Sequence, residues 1–134
     1  MKHLLMISLS LTTTAAFSQV AEVSITDKAC QRSTVEDGKL KTWPVALPGG
    51  PKPFICKHTT GKDYLCRSTR HNKQSKFQLV ESSDARLILQ SPKAIFARID
   101  IDRKKKLFTV VAVHRSSRGQ LVTEICHGDV KLPH

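Results

Sequence analysis

Apolar and polar positions alternate with a two-residue period through the C-terminal half of the chain. In AIFARIDI at 94–101, Ile95, Ala97, Ile99 and Ile101 fall on one face. LFTVVAVH at 107–114 is β-branched and mostly apolar, the pattern of a central strand covered on both faces. SSRG at 116–119 reads as a turn and QLVTEIC at 120–126 as a last alternating strand, so the three runs predict an antiparallel meander. Upstream, KFQLVE and ARLILQ are short apolar runs separated by Ser82, Ser83 and Asp84, and PFICKH and DYLCRS flank a hairpin closed by TTGKD. RSTRHNKQS at 67–75 reads as a polar, basic loop, LPGGPKP at 47–53 as a second loop, and VAEVSI at 20–25 as a weak first strand. Ser33, Thr34, Val35 and Glu36 have capping-box form, which predicts a short helix to about Trp43, weakened by Gly38 and ended by Pro44. No repeat or long linker divides the chain. The expected class is α+β, an antiparallel sheet with a short N-terminal helix, or nearly all-β should that helix fail to form.

The N-terminus changes the picture of where this fold works. Lys2 and His3 precede the apolar run LLMISLSLTTTAAF, and Ala16-Phe17-Ser18 offers small residues at a cleavage site. Residues 1–18 are thus expected to be a signal peptide and 19–134 a single domain. The apolar run is short and rich in Ser and Thr for a membrane span. The mature protein is therefore expected to be secreted, without a membrane anchor, and monomeric. All four cysteines, Cys30, Cys56, Cys66 and Cys126, lie beyond the cleavage site. An even count in a short exported chain predicts disulfides. Four cysteines allow three pairings; the hairpin favours Cys56–Cys66, which leaves Cys30–Cys126. No paired C-x-x-C is present, and no metal or other cofactor is expected.

Charge narrows the partner class. The chain carries 22 basic and 11 acidic residues, net +11, and loss of the leader removes only Lys2. The excess is spread over KPFICKH, RSTRHNKQSK and DRKKK, which points to polyanions such as RNA. One Trp and one Tyr do not make a stacking platform for bases. Within the meander, Arg98 lies in the outward register of its strand and His114 ends the next. With an odd number of residues in the intervening loop, the two share a face, a guanidinium fork beside an imidazole.

The segment ARIDIDRKKKLFTVVAVHRSSRGQLVTEIC resembles the C-terminal meander of the secreted microbial ribonucleases, the guanyl-specific fungal enzymes and their barnase relatives. There an Arg-bearing strand is followed by an apolar strand ending in His, a Gly-containing loop and a strand ending in Cys. The resemblance implies that Arg98 stabilises a pentacoordinate phosphorane and His114 protonates the departing 5′-oxygen. It also implies a Cys30–Cys126 bond and a helix after the first strand. The family's catalytic carboxylate has no clean counterpart: Lys76 stands where the Glu is expected, Glu81 closes the same segment, and His58 is the nearest match to a second upstream His. A ribonuclease-like scaffold without its triad is similar to the effectors secreted by plant-pathogenic fungi, which implies binding of RNA or a host protein without cleavage. Arg98, His114, Arg115, Arg118, Arg70 and Lys76 would then hold phosphates. An active endoribonuclease using Glu81 is the second expectation. The third is a disulfide-rich β domain acting as an inhibitor or immunity protein, favoured if no helix packs across the meander.

Overall fold

A computed structural model describes residues 20–47, 49–69, 72–92 and 96–132. Its strands are β1 (Glu22–Glu36), β2 (Lys39–Pro44), β3 (Pro53–His58), β4 (Asp63–Ser68), β5 (Lys73–Ser82), β6 (Arg86–Gln90), β7 (Ala97–Asp102), β8 (Leu107–Arg115) and β9 (Leu121–Lys131). Strands β3 to β9 pair in chain order, all antiparallel, and β1 joins β3 to β9. The result is a closed eight-stranded barrel, with β2 folded back on the upper half of β1 as a ninth strand. Among the described residues there is no helix.

That architecture overturns the α+β expectation at a definite place. Residues 33–36 do not start a helix; they end β1 and turn through Asp37 and Gly38, both at positive φ (51° and 72°), into β2. A two-residue turn with both central residues left-handed matches the twist of a hairpin, and Asp-Gly favours it. Thr34 and Val35 prefer the pleated strand. The two side chains expected to form the capping box bond across the hairpin instead, Ser33 to the Thr42 hydroxyl (3.1 Å) and Glu36 to Lys41 (2.7 Å). Two further corrections concern extent. The 67–75 loop is mostly strand, since β4 runs to Ser68 and β5 starts at Lys73. β9 continues to Lys131, five residues past the end expected at Cys126.

The two-residue period sorts the interior. Ile99, Ile101, Leu87, Leu89, Phe108, Val23, Ile25, Phe77 and Val130 point inward and are buried, with Tyr64 donating its hydroxyl to the Val20 carbonyl at 2.6 Å. β8 falls short of the strand expected to be buried on both faces: at its start Phe108 is buried and Thr109 on the outer face is exposed, and Val110–His114 are half-buried. Register shifts in β1 between Asp27 and Ala29, and in β5 between Leu79 and Glu81, supply the bends that closure needs. Gly128 sits against the first of these; a Cβ there would collide with the Thr26 carbonyl and the Phe108 ring.

Both disulfides join residues directly opposite on neighbouring strands. Cys56–Cys66 ties β3 to β4 and Cys30–Cys126 ties β1 to β9, as the hairpin argument and the end-to-end pairing required. They are compatible with an extracellular location. Among the described residues no helix is long and apolar enough to cross a membrane. The leader expected at 1–18 lies outside the described residues.

Candidate functional site

The register of β7 and β8 decides the first candidate. Arg98 is opposite Val111, and Asp102 is opposite Leu107 across a four-residue turn. An even turn places Arg98 in line with Asp100, Thr109 and Val111 on the outside of the barrel. His114 shares parity with Phe108, Val110 and Ala112 and points inward, opposite Val122 of β9. The guanidinium and the imidazole therefore lie on opposite faces of the sheet and do not form one phosphate pocket. Glu81 is exposed and pairs with Ile88, on the outer face and away from His114. His58 ends β3, its Nε2 2.8 Å from the Gly61 carbonyl and its ring edge-on to Tyr64. Arg115 donates to the Gly119 carbonyl (3.0 Å), and Arg118 is exposed in the same turn. Arg70 lies outside the described residues.

The outer groove around Arg98, about 560 Å³, is electrically mixed. Arg86, Arg98 and Lys105 line it together with Asp100 and Asp102. Arg86 is ion-paired to Asp100. Backbone N–H groups of Lys105 and Lys104 bond the Asp102 carboxylate (2.9 and 3.1 Å) and, with Lys105 and Lys104 nearby, hold its pKa below the ordinary value.

A different face carries the charge. Between Gly50 and Gln78 the sequence has seven basic residues and one acid. These residues fold into β3, β4 and β5, whose inward positions are Phe54, Cys56, Tyr64, Cys66 and Phe77. Alternation sends the intervening residues outward. Lys57, Leu65 and Lys76 stand in one row across the three strands, and Ile55, Arg67 and Gln74 in the next. At the strand spacing of about 4.8 Å, Lys57 and Lys76 lie about 10 Å apart with Leu65 between them. Arg67 donates to the Asn72 side chain at 2.7 Å, and Lys76 faces Asp63 at 3.4 Å; Lys57 has no carboxylate partner among the described residues. A shallow groove of about 350 Å³ runs along Ile55, Lys57, Leu65, Arg67 and Gln74, with no acidic lining residue. Lys76 and Arg67, both within the 67–76 segment expected to hold phosphates, lie on this face; Lys57 was missed, and so was the strand placement of Arg67. Their signal was present as the odd-numbered, outward positions of PFICKH and DYLCRS.

The barrel wall also holds one polar pair that the sequence reading did not reach. Arg32 Nε meets Glu124 at 2.8 Å on the inward side of β1 and β9. Asp27, Cys30 and Cys126 bring potential ligand atoms within 4.8 Å of one another, but both sulfurs are committed to the disulfide, so the group is not a metal site.

No family model, curated protein or solved structure matches this chain. The functional reading therefore stands on the site itself.

Proposed function

We propose that this is an exported binding protein that holds an extended polyanion, the phosphate backbone of RNA, against the outer face of β3–β5, without cleaving it. The observation that carries the reading is the charge distribution: seven bases against one acid in residues 50–78, with Lys57, Arg67 and Lys76 on one outward surface. Phosphate contacts of this kind supply affinity without reading sequence. Phe54, Tyr64 and Phe77 of these strands point into the barrel, so among the described residues no Phe, Tyr or Trp ring lines this groove for base stacking, and His58 at its end is engaged with the Gly61 carbonyl. The scattered positions of Arg98, His114 and Glu81 remove the support for general acid–base chemistry at that site.

The test is a salt titration of the affinity for a single-stranded RNA. Three phosphate contacts predict a log–log slope of about −2. A flat slope would reject the reading, and equal affinity for a sulfated glycan of matched charge would reassign the polyanion. The second reading is an exported β domain that acts as an inhibitor of another protein. The all-β barrel, with no helix across the meander among the described residues, favours it.

A further inference from the structure

We propose that the open edge of β2 is a docking site for an acidic, extended segment of a partner protein, which adds to the sheet as a further strand beside β2. The proposal is independent of the polyanion face, which lies on other strands.

Backbone geometry defines the site. The two-residue Asp37–Gly38 turn makes Glu36↔Lys39 a hydrogen-bonded pair, so Thr34↔Lys41 and Arg32↔Trp43 are bonded as well. The alternation continues one step further, since the Val45 N–H donates to the Cys30 carbonyl at 2.9 Å. The intervening residues, Leu40, Thr42 and Pro44, turn their backbone groups away from β1. On that side β2 pairs with no strand among the described residues, and all six of its residues are exposed. Pro44, which has no N–H, stands at one of the outward positions, where proline costs the ladder nothing. Leu40 and Thr42 thus present complete donor–acceptor pairs to solvent, the template for strand addition.

Side chains select the occupant. Lys39 and Lys41 project on one side of the edge; Glu36 answers Lys41, and Lys39 has no carboxylate partner among the described residues. On the other side, Leu40, Val35 and Leu121 are 71%, 65% and 55% exposed around a groove of about 420 Å³ with no charged lining residue. A strand alternating acidic and apolar residues complements both sides at once. A second copy of β2 does not, because pairing it with itself sets two pairs of lysines on the same face, a few ångströms apart. In a chain of net +11 that repulsion adds to the general one.

Trp43, the sole tryptophan, lies in β2 and is 39% exposed, which makes it a reporter at the site. The experiment titrates the full disulfide-bonded protein with a peptide of roughly ten residues alternating Glu and Val, a usual upper length for a strand. Saturable change in Trp43 emission is expected, with no response to the Lys–Val counterpart. Thr42→Pro removes an outward N–H and leaves the β1–β2 backbone bonds in place, losing on that side only the hydroxyl contact with Ser33, and is expected to weaken binding at least about tenfold. Should that variant not fold, Lys39→Glu with Lys41→Glu is expected to reverse the preference toward the Lys–Val peptide. Three results would overturn the proposal: no response to either peptide, full binding by Thr42→Pro, or loss of binding on neutralising Lys57, Arg67 and Lys76 instead. Concentration-dependent dimerisation through β2 would also overturn it.

Discussion

The outer faces of β3–β5 and β6–β8 come from stretches that look equally basic in sequence, yet they present opposite surfaces. On β3–β5, Lys57, Arg67 and Lys76 project together and meet one carboxylate, Asp63, at 3.4 Å. On β6–β8, Arg86 is paired to Asp100, and Arg98 shares its groove with Asp100 and Asp102. A count of basic residues does not distinguish these faces. What does is the parity of the acids: in ARIDID they occupy the same outward positions as the arginine, because the isoleucines take the inward ones. The two faces also differ in how they are held, β3 to β4 by a disulfide and β6–β8 without one, by the core packing of Leu87, Leu89, Ile99, Ile101 and Phe108.

The comparison can be broken in several ways, the largest first. Replacing Cys56 and Cys66 by Ser opens a staple of sequence separation 10 and is expected to cost about 3 kcal/mol in chemical unfolding. A loss near zero would mean that strand pairing alone sets the β3–β4 face. Neutralising Lys57, Arg67 and Lys76 to Gln is expected to weaken RNA binding by about 100-fold and to flatten the salt slope by about 2. The matched set Arg86, Arg98 and Lys105 to Gln is expected to change it less than about threefold; equal losses would erase the distinction between the faces. Asp100→Asn should release Arg86 and turn β6–β8 toward the cationic type, raising affinity by a factor of about three to ten at low salt, while changing stability by less than about 1 kcal/mol because the pair is exposed.

Acid should make the faces converge. The folded pKa of Asp102 lies below its unfolded value, because backbone N–H groups of Lys105 and Lys104 and their nearby charges favour the carboxylate. Its stabilisation is therefore present above the unfolded value, about 4, and is lost as pH falls through the folded one. Glu36, lowered by its bond to Lys41, acts in the same direction. Unfolding midpoints measured downward from pH 5 should fall, and RNA affinity of the Asp102→Asn variant should match that of the parent in acid. The smallest effect is alkaline. Burial raises the pKa of Tyr64, so its neutral form stabilises the fold below about pH 10, and that contribution fades above it. As the only tyrosine, its ultraviolet titration should track unfolding.

Much of the fold was legible because a period of two is a local property. The runs around Ile99, Phe108 and Leu87 announced strands, and TTGKD between Cys56 and Cys66 announced both a hairpin and its disulfide. The helix at 33–43 failed because a capping box and a strand end share the same residues; the Asp-Gly turn after Glu36 was the stronger signal. Lys57 and Arg67 were hidden in plain alternation, since their outward placement depends on which neighbours find a core.

Sequence by itself determined the strand-forming periodicity and the excess of positive charge and favoured the Cys56–Cys66 hairpin bond, all of which depend on residues near one another or on composition. Tertiary structure decided that the sheet closes, that Arg98 and His114 face apart, and that β2 is left with an open edge. Those outcomes depend on register, which a single added or missing turn residue inverts. Four residues between β7 and β8 put the imidazole inside and the guanidinium outside.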